Sequence, residues 1–299
     1  MTAAPARRPF DPDRLTAALT AESGGSWRAV TVTARTGSTN ADLRAALAAA
    51  PDPDALAGTV LLADTQEEGR GRHGRGFGGA PLAQIPVSVV LDLSGVPMAG
   101  LGWLPLITGV AVVETLREVG GLDAALKWPN DVLVRGEGAG KIAGILAEVF
   151  RAGDRPLVVL GVGLNVDQRA DELPVDTATS LALAGARTLD RDALVIDFLT
   201  RLAARVDRWC RRGGVDGVLL ADYRAHCSTI GLPVRALLPG DAVIAGRADD
   251  VDDQGRLLIA VEHVEGDAAA TVGGVAAVAA GDVTHLRPAP DGGAADGLP

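Results

Sequence analysis

The sequence predicts an α/β (α+β) fold in which helices pack on a mixed sheet and a small β-barrel follows at the C-terminus. Apolar runs at 132–134, 142–150 and 157–166 are separated only by short turns rich in glycine and charged residues. Parallel neighbours need long crossover connections, so these strands must be at least partly antiparallel. From about residue 233, short strands alternate with turns at the spacing of a small barrel.

The other elements are predicted from helix start signals and from periodicity. Ser38 or Thr39 is the expected N-cap of an alanine- and leucine-rich helix at 41–50, and Asp42 in its first turn complements the helix dipole. The remaining predicted elements are, in order, a strand at 58–64, a strand at 85–93, a helix at 104–119, and helices at 190–212 and 215–227.

These patterns divide the chain into four parts. An N-terminal segment, 1–30, leads into a main domain at 31–232, and a small β-domain occupies 233–288. The composition of 289–299 predicts a disordered tail, because its Gly, Ala, Asp and Pro residues cannot bury an apolar core.

Composition and charge argue against several classes of protein. A net charge of -10 opposes general binding to nucleic acid or to anionic membranes, which depends on excess Lys and Arg. The uncharged stretch 93–113 is long enough to span a bilayer, but its glycines and prolines favour a loop and a buried helix. The N-terminus lacks the apolar region of a signal peptide, and two cysteines suit a reduced compartment. We therefore expect a cytoplasmic protein that binds neither DNA nor membranes.

The segment Gly69–Arg75 carries three arginines spaced by glycines, which is unusual in so acidic a chain. Glycine permits close backbone approach and arginine donates in a planar fork, so the segment can surround a small anion. The alternative is a flexible, solvated segment that binds RNA, but the net charge and the strands predicted on both sides oppose it. We expect a loop that becomes ordered over a phosphate or an adenylate.

A second segment combines two lysines with a carboxylate beside a turn. The string KWPND occupies Lys127–Asp131, and the pattern KxxGIL begins ten residues later at Lys141. Taken alone, Pro129–Asp131 is an ordinary turn between strands. Together the charged groups could hold a carboxylate, a phosphate and Mg²⁺.

Two further segments could line a ligand site. The string STN at 38–40 is either a simple helix cap or the start of a helix whose hydroxyl and amide groups line a polar pocket. The string GVGLNV at 161–166 lacks the third glycine of a dinucleotide fingerprint. It suits a strand whose glycines let a ligand lie against the backbone, with Asn165 offering an amide.

Taken together and in this order, the four segments resemble the biotin–protein ligase family over residues 31 to 288. The resemblance implies a catalytic domain with the fold of class II aminoacyl-tRNA synthetases and an SH3-like C-terminal β-domain. It also implies a ligase that uses ATP and Mg²⁺ to convert biotin to biotinyl-5'-AMP. The acyl group would then pass to a lysine on the biotin carboxyl carrier domain of an acyl-CoA or pyruvate carboxylase. A homodimer is a further expectation of this kind.

The resemblance also assigns roles to individual positions. Biotin's ureido ring would be surrounded by the STN segment and the start of the arginine loop, at Ser38, Thr39, Asn40, Gln66, Gly69 and Arg70. Arg70, Arg72 and Lys141 would contact the carboxylate and the α-phosphate, and Gly144 and Leu146 would contact the valeryl chain and the ring. Phe77 would act as a lid, and Asn165 would contact the adenylate. Asn130 and Asp131 would lie near ATP and Mg²⁺.

The same set defines the expected chemistry. Lys141, Arg70 and Arg72 would stabilise negative charge, and Asp131 would be the base of the transfer step. The reaction needs no enzyme nucleophile, and we expect Mg²⁺ to arrive with ATP rather than in a site formed by the protein alone.

The sequence departs from the family pattern in two places, and alternatives remain. Phe77 stands where the family usually has a tryptophan. Only 37 residues precede Ser38, too few for the N-terminal winged helix-turn-helix domain of some relatives, so we do not expect a DNA-binding repressor. The alternatives are a lipoate- or octanoate-handling ligase or transferase of the same fold, and a non-catalytic biotin sensor.

Overall fold

Two sheets form the framework of the protein in a computed structural model that describes residues 7–21, 25–152, 155–238, 240–266, 272–279 and 282–285. The chain divides into two compact units, the first ending at His226 and the second beginning at Cys227. The first unit contains a seven-stranded mixed sheet, and the second contains a five-stranded antiparallel sheet. The predicted combination of a mixed α/β domain and a small C-terminal β-domain is therefore confirmed.

The sheet of the first unit has the strand order β1-β2-β3-β7-β6-β5-β4. The strands are β1 (Ala29–Thr33), β2 (Thr59–Ala63), β3 (Gln84–Asp92), β4 (Ala124–Lys127), β5 (Asp131–Val134), β6 (Gly140–Ala152) and β7 (Arg155–Asn165). β1 and β2 are parallel, and every other neighbouring pair is antiparallel. The antiparallel arrangement predicted for 132–166 is confirmed, whereas β1 and β4 were not predicted because both are short and lack a distinctive pattern.

The described residues of the first unit include five α-helices. They are α1 (Pro12–Leu19), α2 (Thr39–Ala49), α3 (Trp103–Glu118), α4 (Arg191–Arg212) and α5 (Gly217–His226). Ser38, one of the two predicted caps, accepts a hydrogen bond from the Ala41 amide and so begins α2.

The apolar helix α3 is a core element. The helical stretch Met98–Glu118 has the length and hydropathy of a membrane span, yet 67% of its apolar window is buried inside the protein. It packs against α4, α5, β4 and β6. A helix that is apolar on all sides and surrounded by other elements is typical of a protein core.

The second unit consists of β8 (Pro233–Leu237), β9 (Val243–Val251), β10 (Leu257–Glu265), β11 (Val275–Val278) and β12 (Asp282–His285). Its strand order is β11-β10-β9-β8-β12. The unit begins six residues before the predicted boundary at 232/233. The last two of these residues are bonded to β9: Gly231 donates to the Ala248 carbonyl at 2.7 Å, and the Ala248 amide donates to the Leu232 carbonyl at 2.9 Å. The predicted tail at 289–299 lies outside the described residues.

A buried ion pair attaches the N-terminal segment to the first unit. The Arg191 guanidinium donates to Asp64 at 2.7 Å, to the Arg8 carbonyl at 2.6 Å and to the Gln84 carbonyl at 3.0 Å. It also lies 3.9 Å above the Phe10 ring. Burial lowers the pKa of Arg191, and Asp64 opposes that effect. Arg191 therefore connects the described part of the predicted segment 1–30 to the first residue of β3.

A second, more exposed cluster yields a pH-dependent prediction. Arg7 donates to Glu172 at 2.5 Å and to Asp167 at 3.1 Å, and the Arg7 hydrogen bond is the main reason that the pKa of Glu172 falls from 4.5 to about 2. We expect Glu172→Gln to lower the free energy of unfolding at pH 7 by about 1 kcal/mol. A lowered pKa stabilises the fold above the unfolded value, so the stability gap between wild type and variant should narrow as pH falls from 4.5 towards 2.

Urea denaturation across this pH range measures the gap. Glu67→Gln is the control, because Glu67 pairs with Arg35 at a separate place on the surface, where both side chains are about half or more exposed. A gap between wild type and Glu172→Gln that stays constant with pH would contradict the assigned ion pair.

Candidate active site

The first turn of α2 lies over the neighbouring strands β3, β7 and β6, next to Gly161 of β7. Ser88 of β3, Gly161 of β7 and Leu146 of β6 stand side by side in register. A Cβ added to Gly161 would fall 2.2 Å from Asn40 Oδ1, well inside contact distance. Glycine at 161 therefore gives the Asn40 side chain the space it occupies above the sheet.

The predicted STN segment and Gln66 form one end of the site together with a residue that was not predicted, Ser88. Ser88 Oγ lies 2.6 Å from Asn40 Oδ1 and 2.7 Å from Thr39 Oγ1. Gln66 Oε1 accepts a hydrogen bond from the Thr39 amide at 3.0 Å. All four residues are buried, Ser88 completely. Sequence reasoning missed Ser88 because a single serine inside an apolar strand gives no recognisable signal.

The arginine segment is folded as a short hairpin. Gly71 donates to the Arg75 carbonyl and Phe77 donates to the Gly69 carbonyl, both at 2.7 Å, and a bridge joins Arg70 to Gly76. The side chain of Gln66 also donates to the Phe77 carbonyl at 3.5 Å, although this contact is long. The hairpin therefore ends against the same glutamine that meets Thr39.

Phe77 lies on a flat surface made by two further glycines. Gly144 of β6 and Gly163 of β7 are paired in register. A Cβ on Gly163 would fall 2.1 Å from the Phe77 ring, and one on Gly144 would fall 3.5 Å from it. Gly144, Gly161 and Gly163 form what we call the glycine strip, where side chains that would normally stand on the sheet are absent and flat groups can lie against the backbone.

The cationic end of the site depends on a β-bulge. Between β5 and β6 the register shifts, so that Val132 and Leu133 face Ala143 and Lys141, with Ile142 as the extra residue. In a regular strand, residues 141 and 144 would point to opposite faces. The bulge brings Lys141 to the face of the glycine strip, where Nζ lies 3.7 Å from the position of a Cβ on Gly144.

The KWPND turn supplies partners for this cation and for the loop. Lys141 Nζ lies 2.6 Å from Asp131 Oδ1. Asn130 exchanges two hydrogen bonds with Ile145, at 2.9 and 3.0 Å, and its side-chain oxygen accepts from Arg72 at 3.4 Å. The structure thus brings together four of the predicted site residues, Arg72, Asn130, Asp131 and Lys141, and joins Asp131 to Lys141 as an ion pair.

Three predicted contacts take a different form in the structure. Asn165 was expected to offer its amide to the adenylate, but it is 4% exposed and bonded to protein groups: it accepts from Gln84 and Gln168 and donates to the Thr179 carbonyl, at 2.9 to 3.1 Å. Ser38 uses its hydroxyl as the cap of α2. The Arg70 side chain is exposed, and its backbone pairs with Gly76.

The side chain of Asn165 belongs to a buried hydrogen-bond network. Gln84 donates to Asn165 and, at 3.4 Å, to the carbonyl of Gly78, just beyond Phe77. Gln84 therefore connects the end of the arginine loop to the last residue of β7, and contact of Asn165 with the adenylate stays a prediction. Neither Gln84 nor Gln168 was predicted, because no motif marks them.

Within the described residues, no group of three or more His, Cys, Asp or Glu side chains is placed to hold a metal ion. Asn130 and Asp131 still provide side-chain oxygens next to the cations. Such oxygens suit a magnesium ion that remains bound to the phosphates of a nucleotide.

Comparison with known proteins first identifies the class of protein to which the chain is similar. The model of the biotin/lipoate A/B protein ligase family matches residues 33–165, and that of the biotin protein ligase C terminal domain matches 229–267. Among the relatives is the biotin--[acetyl-CoA-carboxylase] ligase of Mycobacterium tuberculosis, 46% identical over 268 residues, which make up 89% of this chain and 92% of that protein. The bifunctional ligase/repressor BirA of Escherichia coli is 32% identical over 68% of this chain and 61% of its own length.

A solved structure agrees. The biotin protein ligase from Aquifex aeolicus in complex with biotin and ATP superposes with a TM-score of 0.69 at 26% identity, covering 87% of this chain and 100% of that one. The chain belongs to the biotin protein ligase family, and the resemblance inferred from its motifs is confirmed.

The arginine hairpin provides a test that needs no ligand. A Cβ on Gly69 would lie 2.0 Å from the Phe77 carbonyl oxygen and 2.3 Å from the Gln66 side chain, whereas one on Gly76 would meet nothing within 4 Å. Overpacking of this kind costs about 1–3 kcal/mol, so Gly69→Ala should open the hairpin about tenfold more often than Gly76→Ala does. Trypsin cleavage after Arg70, Arg72 and Arg75, followed by mass spectrometry, measures the opening. Equal cleavage of the two variants would show that Gly69 is not needed for the hairpin.

Proposed function

We propose that this chain is an ATP-dependent ligase that activates biotin as biotinyl-5'-AMP and transfers the acyl group to a lysine of a biotin carrier domain. The observation that carries the proposal is a row of chemically different groups that lie next to one another along β3, β7 and β6. Thr39 and Gln66 form a buried polar end, the glycine strip forms an apolar floor, and Lys141 and Arg72 form a cationic end. Similarity to a biotin--[acetyl-CoA-carboxylase] ligase over 89% of the chain supports it.

The cationic end meets the main physical obstacle of the first step. Biotin's carboxylate must approach the α-phosphate of ATP, and two unit charges 4 Å apart repel by about 4 kcal/mol at an effective dielectric constant of ~20. Lys141 and Arg72 lie where they can offset this repulsion, and a magnesium ion on the phosphates adds further positive charge. The carboxylate oxygen then bonds to the α-phosphorus, and pyrophosphate leaves with the electrons of the broken P–O bond.

The Lys141–Asp131 pair suits both steps. While paired, Asp131 holds the ammonium group at the strip, ready to exchange its carboxylate partner for the acyl phosphate. Once Lys141 contacts the adenylate, the Asp131 carboxylate is free to accept a proton from the incoming lysine of the carrier. That amine attacks the acyl carbon, the bond to AMP breaks, and an amide forms.

The glycine strip and Phe77 suit an acyl adenylate that must be shielded from water. A flat strip lets an alkyl chain and a fused ring lie directly on the backbone. The Phe77 ring covers the strip here. We infer that it lies over the ligand in the complex, so that an apolar group separates the mixed anhydride from solvent.

The expected setting follows from the same proposal. Both cysteines, Cys210 and Cys227, are free thiols, in keeping with a cytoplasmic location. The carrier domain of an acyl-CoA carboxylase is the expected partner, with that of pyruvate carboxylase as a second, and a homodimer stays a prediction. The net charge of -10 favours a ligase over a DNA-binding regulator.

The proposal is tested by exchange of pyrophosphate into ATP in the presence of Mg²⁺, measured in parallel with biotin, lipoate and octanoate. We expect exchange with biotin alone, since the buried polar groups of Thr39 and Gln66 need a ligand with polar ring atoms. Exchange with lipoate or octanoate would move the chain to the sister activity of the same fold. Binding of biotin without exchange would favour a sensor.

Lys141 should be essential for this half-reaction. We expect Lys141→Ala to reduce exchange by at least about 100-fold, because a cation directed at developing charge is lost, while the far-ultraviolet circular dichroism stays unchanged. Arg135→Ala is the matched control, since Arg135 is an exposed cation just beyond the other end of β5 and pairs with Asp123. Exchange by Lys141→Ala at the wild-type rate would exclude Lys141 from the site.

A further inference from the structure

A line of hydrogen bonds runs from a surface carboxylate to the buried hydroxyl of Thr39. Glu148 Oε2 accepts from Asn40 Nδ2 at 2.8 Å, Asn40 Oδ1 lies 2.6 Å from Ser88 Oγ, and Ser88 Oγ lies 2.7 Å from Thr39 Oγ1. At its outer end Glu148 also pairs with Arg44 at 2.7 Å. The line crosses the glycine strip at Gly161, where any side chain would displace Asn40.

The chemistry of the groups fixes the direction of these hydrogen bonds. An ionised carboxylate and a backbone carbonyl only accept, so Asn40 must turn its NH₂ group towards Glu148 and towards the Leu146 carbonyl, which is 3.5 Å away. The amide oxygen of Asn40 then faces Ser88, and Ser88 must donate to it. A hydroxyl has one proton, so the 2.7 Å contact between Ser88 and Thr39 needs the proton of Thr39.

This direction decides what Thr39 can offer to a ligand. Its only hydroxyl proton is used towards Ser88 at 2.7 Å, because the alternative acceptor, Gln66 Oε1, is further away at 3.2 Å. Thr39 Oγ1 is left with acceptor capacity alone. A ligand atom that meets it must therefore be a hydrogen-bond donor.

We propose that Glu148, acting through Asn40 and Ser88, is a positioning residue that holds Thr39 as an acceptor and so selects ligands with a ring N–H at this point. The proposal rests on the proposed function, in which the ligand is the cyclic urea of biotin. Glutamine at 148 could present either its oxygen or its NH₂ group to Asn40, so the direction of the line would no longer be fixed.

The test uses Glu148→Gln and a pair of ligands. Isothermal calorimetry compares biotin with the two cyclic carbamate analogues in which oxygen replaces one ureido N–H. In the wild type, we expect the carbamate that lacks the N–H facing Thr39 to bind about tenfold more weakly than biotin. The reason is that one hydrogen bond is lost and the buried acceptor Thr39 Oγ1 is left unpaired. In Glu148→Gln this ratio should fall to about twofold or threefold, because Thr39 can then turn its proton towards the ligand.

Kinetics separate positioning from catalysis and from general damage. In Glu148→Gln the KM for biotin in pyrophosphate exchange should rise severalfold, with kcat within about twofold of the wild type, because the change acts on ring recognition alone. Glu118→Gln is the matched control: Glu118 also pairs with an arginine, Arg201, but it lies on α3 and not on the sheet. Its ligand ratio and KM should equal those of the wild type.

Ser88→Ala gives a second, independent variant, which keeps the carboxylate and removes the connection. It should lower the ratio of the affinities for biotin and for the carbamate, as Glu148→Gln does. If Glu148→Gln does not fold, Ser88→Ala alone tests the proposal. An unchanged ratio in a folded variant that still binds biotin would overturn the inference and leave the proposed function standing. A wild-type protein that binds no biotin would overturn both.

Discussion

The absence of side chains along the glycine strip is the constraint on which the rest of the site depends. Two neighbouring antiparallel strands carry Gly144, Gly161 and Gly163 on one face. Asn40 occupies the space at one end of the strip and the Phe77 ring occupies the space at the other. A methyl group at 161 or 163 would overlap the group that now lies there, so the start of α2 and the end of the arginine loop can both reach the sheet only because these positions are glycine.

The strip also separates the neutral polar groups at one end of the site from the charged groups at the other. At the buried end, neutral amide and hydroxyl groups of Thr39, Ser88 and Gln66 meet each other. At the open end, Lys141 and Asp131 are about a quarter to a third exposed, and Arg72 reaches the same turn. Partial exposure lets Lys141 exchange one anionic partner for another at low cost, since water compensates the group that is released.

The sequence was sufficient for the parts of the site that depend on local chemistry and insufficient for those that depend on register. The cap at Ser38 follows from residues three positions apart. The contact between Arg72 and the KWPND turn joins residues 58 positions apart and was expected only from the resemblance to the family. The face on which Lys141 lies could not be predicted, because it is set by the extra residue Ile142 in β6. A similar limit applies to Asn165: an amide in a motif can face the ligand or the core, and its hydrogen bonds to Gln84 and Gln168 could not be predicted from the motif.

The polarity of the buried end bears on the choice between the two activities known for this fold. In the proposed arrangement Thr39 Oγ1 is left as an acceptor, and Gln66 is held between Thr39 and the Phe77 carbonyl. A cyclic urea brings N–H donors to such a surface, whereas the dithiolane ring of lipoate and the alkyl end of octanoate bring none. A site built around hydrogen bonds rejects a ligand that lacks them far more strongly than an apolar pocket rejects a missing methylene, because its buried groups are left unpaired. If the proposal is right, discrimination against lipoate originates in the line of hydrogen bonds from Glu148 to Thr39 and not in the ion pair at Lys141.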